Sequence, residues 1–342
     1  MEIIINDNRP YKDFNTITFS NYKKNEVIKA MTTSLNNQDI EGALFWSTEL
    51  LCSCRLKDIW DIYLEIIGKN VRCGNPKLPI YIARKFNNFK DIIMNGYSDN
   101  ELDVRNSKEM RILISEVTSV ICYSPKKPPL QMLKIDKKND FSYQILGKQL
   151  KADTMDWCKK FLYDEDPNEI IMAINEFVFH LNKKNLLMCC YWVDWLIEFD
   201  ALCHKQKKPV VVKKRDFVAV DDKFKSDPIW ILWAVLLLEH RKNNEKYIIV
   251  KSLIELFSIK YNHSQKRKRR HLLYLAVELY TDDITMNLPI LHHGDKIRAV
   301  VGQLGKFYHA IKKYEEHSNI NSDKVNNLQK SIGKMNVLYN LR

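Results

Sequence analysis

The chain has 342 residues, about twice the length of an ordinary domain, with 45% apolar and 28% charged residues, so it reads as a globular protein of two compact units. Its 9 glycines are too few for a fold of tight hairpins or a Gly-rich dinucleotide turn, and the absence of any G-x-x-x-x-G-K-[ST] run excludes a P-loop nucleotidase. The net charge of +12, carried by 41 Lys against 13 Arg, favours polyanionic partners, nucleic acid first.

Residues 1–25 read as an N-terminal arm; Met1 to Asp7 has no basic start and no long apolar stretch, so no signal peptide is expected. Apolar residues at helical spacing predict helices over 26–35 and 39–54, with Asp39 capping the second. Further helices are expected at 55–69, 78–94, 107–123 and 153–163. Residues 125–150, Pro- and Lys-rich, read as a linker. Asp166-Pro167-Asn168-Glu169 is a helix-start signal before the stripe Ile170, Ile171, Ile174, Phe177, Val178 and Leu181. Asp227-Pro228 repeats it before Ile229–His240, whose apolar run is too short to span a bilayer. Helices at 245–261, 268–281, 294–316 and 322–338 follow. Around 209–220, Val210-Val211-Val212 and Phe217-Val218-Ala219-Val220 allow a short β-hairpin. The expected fold is all-α, with two tandem helical modules over 26–124 and 151–342.

An internal echo supports duplication. Leu35-Asn36-Asn37-Gln38-Asp39-Ile40, Phe45-Trp46 and Leu50-Leu51 align without gaps with Leu181-Asn182-Lys183-Lys184-Asn185-Leu186, Tyr191-Trp192 and Leu196-Ile197, at a constant offset of 146 residues. The turn residues match as well as the apolar ones, which predicts two equivalent helical hairpins with Trp46 and Trp192 in equivalent core positions.

Over residues 26–130 the sequence resembles the oligomerisation, or collar, region of clamp-loader-type AAA+ ATPases, in the version of the replication-associated recombination ATPases (the RarA/MgsA type). Asp39-Ile40-Glu41-Gly42-Ala43-Leu44-Phe45-Trp46 is similar to that family's D-x-x-A-A-L-Y-W helix start. Ile66 and Gly68-Lys69-Asn70-Val71 through Lys77 stand where it has S-E-D-I-G-x-A-D-P, without the acidic pair. Ile114-Ser115-Glu116-Val117 through Tyr123-Ser124-Pro125-Lys126-Lys127 stands where it has A-Q-A-x-x-Y-L-A-x-A-P-K-S. The sequence carries no Walker motif or arginine-finger context, so the family's ATPase module is not expected here. The resemblance implies a helical module that assembles with itself or with an ATPase or replication protein, and implies no catalysis. The Lys, Asn and Ile bias is that of an AT-rich genome, such as that of a parasite or a large DNA virus.

Catalytic and metal chemistry find little support in the sequence. Cys52-x-Cys54 with Cys73, and Cys189-Cys190 with Cys203-His204, lack C-x₂₋₄-C knuckles and read as reduced core thiols of an intracellular protein. His292-His293 with Asp295 reads as a helix start rather than a metal site. Of the carboxylate runs that a magnesium-dependent nuclease could use, Asp164-Glu165-Asp166, Asp221-x-Lys223 and Asp282-Asp283, the first reads as a helix-capping cluster and the second lacks a preceding Pro-Asp partner. The seven tryptophans sit in apolar helical runs and read as core. No catalytic residue, cofactor or metal is expected.

The basic clusters carry the functional expectation. Lys266-Arg267-Lys268-Arg269-Arg270 places five cations at a helix start, where they repel one another and the helix dipole unless an anion sits opposite. Lys207-Lys208 with Lys205, and Lys213-Lys214-Arg215 followed by Phe217, make a second patch with one candidate stacking aromatic. Lys126-Lys127 with Lys134, Lys137 and Lys138 make a third. On this reading the run 266–270 faces nucleic acid, which the replication resemblance implies is DNA, and its removal leaves stability equal or slightly raised. The expected function is a non-enzymatic replication or repair accessory acting by assembly and nucleic-acid binding, without a membrane. The alternative is a basic virion protein lying against packaged genome.

Overall fold

Long apolar stripes at helical spacing need a partner surface, and here they find it in other helices. A computed structural model describes residues 3–95, 101–137, 139–141, 147 and 150–316 of the chain. It is mostly helical, with no strand among the described residues. In chain order the helices are α1 (Lys24–Asn36), α2 (Ile40–Cys52), α3 (Leu56–Ile66), α4 (Leu78–Met94), α5 (Glu101–Asn106), α6 (Lys108–Tyr123), α7 (Asn168–Asn182), α8 (Leu186–Lys205), α9 (Ile229–Glu239), α10 (Asn244–Ser258), α11 (His263–Thr281), α12 (Gly294–Val301) and α13 (Gly305–Lys312). Among the described residues no helix is long and apolar enough to cross a membrane. The expected helix at 322–338 lies outside the described residues.

The chain divides into two units that are not tandem. Unit 1 is Met1–Ile67, Tyr81–Lys126 and Pro289–Arg342; unit 2 is Gly68–Ile80 and Lys127–Leu288. Three segments therefore group differently from the order read in the sequence.

The first is the N-terminal segment, which is stitched into unit 1 rather than held out as an arm. Buried Arg105 donates to the carbonyls of Cys52, Asp7 and Arg9, Arg111 donates to Ile3 O, and Asn106 pairs both ways with the Ile5 backbone. Ile5, Phe14 and Phe19 are fully buried as a result. The second is the chain after Pro289, where Tyr308 lies buried with the Arg111 guanidinium 3.9 Å from its ring centroid. The third is Gly68–Ile80. Buried Arg72 reaches Glu278 of α11 at 2.9 Å and donates to Pro128 O at 2.8 Å, and Lys77 pairs with Glu245. A Cβ on Gly68 would stand 2.8 Å from the His271 carbonyl carbon, so only glycine permits this approach to α11.

Within unit 1, α1 and α2 form a hairpin and α2 packs on α6; within unit 2, α7 and α8 form a hairpin and α8 packs on α11. The two turns match in detail at the 146-residue offset. Gln38 and Lys184 take left-handed φ of 58° and 55°, the Asp39 and Asn185 N–H groups donate to Ser34 O and His180 O, and both side chains cap the next helix by accepting from Gly42 and Met188 N–H. The tryptophans diverge. Trp192 is buried, whereas Trp46 is half-buried at the edge of its unit against Tyr22 and Phe45.

Two expected elements are absent. Residues 209–220 form no hairpin: Val212 N–H goes to Ser226 O, Arg215 N–H to Lys225 O and Lys213 N–H to the Asp166 carboxylate, so no ladder closes. Residues 153–163 contain only a short 3-10 turn at Lys159–Phe161, because α7 side chains take the backbone groups. Glu176 accepts from Lys151 and Ala152 N–H, and Asn175 accepts from Cys158 N–H and donates to Thr154 O. Asp166 does not cap α7; its buried carboxylate is spent on Arg215, at 2.6 Å, and on the Tyr163 and Lys213 N–H groups.

Two outcomes follow from this packing. Lys184 is exposed and left-handed, so Lys184→Gly should raise stability by about 0.5–1 kcal/mol, read as an increased denaturation midpoint. His240 is buried with its Nε2–H donating to Ala276 O, and burial holds the imidazole down at about 4, below its ordinary 6.5. Its contribution is therefore complete above pH 6.5 and is lost as pH falls from there towards 4, on the order of 3 kcal/mol in all. His240→Gln should flatten the fall in stability over that window in urea melts at stepped pH.

Candidate functional site

The five-cation run starts one turn inside α11 rather than at its first residue. Asn262 caps the helix by accepting from the Ser264 and Gln265 N–H groups, and His263 is the first helical residue. α11 lies antiparallel along α8, and the acidic residues of α8 face the run. Lys266 is 3% exposed, and its ammonium sits between Asp200 and Asp227, 2.8 Å from Asp227 Oδ2. Arg267 bonds Glu198 at 2.8 Å, and Arg270 approaches Asp194 at 3.6 Å. Arg269 is buried and donates to Phe257 O and Ile259 O at the end of α10.

This corrects the expectation of an exposed five-charge face. Lys266 and Arg269 are inside the protein, Arg267 and Arg270 are shared with α8 carboxylates, and Lys268 is the member that is exposed with no ion pair among the described residues. The self-repulsion of the run is relieved by Asp194, Glu198, Asp200 and Asp227, not by a phosphate. Arg215, 3% exposed and locked on Asp166, is likewise unavailable to a ligand.

The second patch survives in part. Lys205, Lys207 and Lys208, at the end of α8, are exposed and make no ion pair among the described residues. Lys213 and Lys214 are exposed and paired with Glu165 and Asp222, which are themselves exposed. Phe217 is 40% exposed. In the third patch Lys126 is turned inward and donates to the Ile121, Cys122 and Ser124 carbonyls at the end of α6. Burial brings its pKa down to about 8. Lys127 faces Glu278, Lys137 pairs with Glu198, and Lys138 lies outside the described residues.

At the end of the α8–α11 seam stands a polar cluster that the sequence reading did not assemble. His204 follows Asp200 by one helical turn, its ring is 4.3 Å from that of His263, and its Nε2 lies 3.6 Å from Asp200 Oδ2. One ligand-type atom from each of Asp200, His204 and His263 lies within 4.8 Å of the others. His263 Nδ1 is 3.0 Å from Asp227 Oδ2. Burial opposes the charge on Asp227, but Lys266, His263 and the Ile229 N–H outweigh it and hold the carboxyl well below the usual carboxylate range. Asp200-x-x-x-His204 is a helical i, i+4 pair visible in the sequence, masked there by the adjacent Cys203. His263, 59 residues further on, is joined to it only by the packing of α11 on α8. The cysteines are buried or half-buried, and burial raises the Cys122 thiol to about 11, as suits core packing.

Compared with protein-family models, curated proteins and solved structures, the chain matches none.

The burial of Lys266 reverses the stability expectation for this run. Lys266→Met leaves Asp200 and Asp227 buried without their cation and should cost about 3–5 kcal/mol. Lys268→Ser should stay within about 0.5 kcal/mol of the parent. Chemical denaturation of the two variants checks the contrast.

Proposed function

We propose that this chain is a non-enzymatic nucleic-acid-binding accessory protein of DNA replication or repair that works through assembly with itself or with a replication ATPase. The observation that supports binding most directly is the turn after α8, where Lys205, Lys207 and Lys208 project without ion pairs among the described residues. A chain of net charge +12 that ties Arg72, Arg215 and Lys266 into buried ion pairs, yet leaves these lysines open, presents a compact site for phosphates. Lys213 and Lys214 extend the basic surface of the same loop region, since exposed pairs with Glu165 and Asp222 contribute little and exchange readily for phosphate. Exposed Phe217 offers a ring for base stacking beside them. The assembly half of the reading rests on the clamp-loader-collar resemblance of residues 26–130.

Replacing Lys205, Lys207, Lys208 and Lys268 with Ser should weaken binding to labelled DNA and lower the salt slope by up to about 0.9 per lost phosphate contact. Thermal melts should be unchanged. Equal affinity and slope in the variant would overturn the binding reading.

A further inference from the structure

We infer that Asp200, His204 and His263 form a binding site for one divalent transition-metal ion of the zinc class. The inference is independent of the nucleic-acid reading. It begins from a buried group that the fold leaves unfinished. Asp200 is 1% exposed, and Lys266 occupies its Oδ2, while its Oδ1 has no hydrogen-bond partner among the described residues. A buried carboxylate oxygen without a donor is costly, and a ligand at the site relieves that cost.

The surrounding atoms specify the class of ligand. Two imidazoles stand beside the carboxylate, and one candidate donor atom from each of the three residues lies within 4.8 Å of the others. Imidazole nitrogen selects zinc and its neighbours over magnesium or calcium, which take oxygen. His263 is already oriented as metal-binding histidines usually are. Its Nδ1 faces Asp227 Oδ2, and because that carboxylate only accepts, Nδ1 is the donor there, which leaves Nε2 as the ring atom to offer an ion. The charge balance is favourable too: Asp200 and Asp227 carry two negative charges and Lys266 one positive, so a divalent cation meets a net negative cluster.

The site is open on one side. His204 and His263 side chains are 34% and 44% exposed, so an ion has an entry path and a fourth position for water, as in sites with three protein ligands. An ion held there cross-links the last turn of α8 to the first turn of α11, closing the end of the seam that Lys266 begins.

The test uses the full chain, stripped with a chelator and dialysed. Zinc chloride titrated calorimetrically should bind once per chain and raise the melting temperature. His204→Gln and His263→Gln should each lower the affinity about tenfold or more, while His309→Gln, at an exposed position of α13, should leave it unchanged. Cobalt(II) added to the unaltered chain provides a readout that needs no variant to fold. Weak visible bands without intense thiolate-to-cobalt absorption are expected from imidazole and carboxylate ligands. Absence of saturable zinc binding, binding that survives in both histidine variants, or a thiolate band assigning the ion to cysteines would each overturn the proposal.

Discussion

The Lys266 ammonium, held between the buried carboxylates of Asp200 and Asp227, is the constraint around which unit 2 is organised. None of the three charges tolerates its position alone, because an isolated ion inside a protein loses several kcal/mol of hydration. Together they fix the relative register of three helices. Asp200 belongs to α8, Lys266 to α11, and Asp227 precedes α9, where its Oδ1 also accepts the Ile229 N–H at 3.0 Å. Sliding α11 along α8 by one turn would strand all three. An apolar triad of the same volume would pack as tightly and specify that register less sharply.

From this point the seam extends in both directions. Towards the middle of α8 it passes through Glu198 with Arg267 and then Asp194 with Arg270 and Tyr274, whose hydroxyl donates to the Asp194 carboxylate. Towards the end of α8 it reaches His204 and His263. Charge thus decreases in burial along one helix pair, from a closed ion triad to partly exposed imidazoles and finally to the open lysines of the following turn. The same pair of helices supplies buried core to unit 2 and, at its end, groups that meet solvent.

The shortage of glycine has a structural consequence of its own. Helix ends that would ordinarily place glycine in the left-handed region use Gln38, Cys54, Lys184 and Lys207 instead. Each accepts a cost of about 1–2 kcal/mol, only part of which glycine would recover because it loses more chain entropy on folding. Few glycines therefore did not mean few tight turns, and both helical hairpins close through such a residue. Matching turns at Gln38-Asp39 and Lys184-Asn185 arise from the same local code, an αL residue followed by a capping side chain. The flanking aromatics obey no such local rule, and Trp46 and Trp192 are buried to different degrees because their packing partners differ.

What the sequence by itself determined is local. Helical periodicity, the Asp39 and Asn185 caps, the excess of lysine and the absence of Gly-rich phosphate loops are written in neighbouring residues, and the all-α fold follows from them. Charge runs were legible only as composition. Whether Lys266 or Lys268 meets solvent depends on which face of α11 turns towards α8, a matter of helical phase and long-range packing. Asp166 illustrates the same limit: its sequence context is that of a helix cap, but Arg215, distant in the chain, claims its carboxylate. The return of residues after Pro289 to unit 1, and of Gly68–Ile80 to unit 2, was likewise decided by contacts between segments far apart in sequence. Burial of charge is a property of pairs, and the partners of Lys266, Arg215 and His263 are brought to them only when the chain folds.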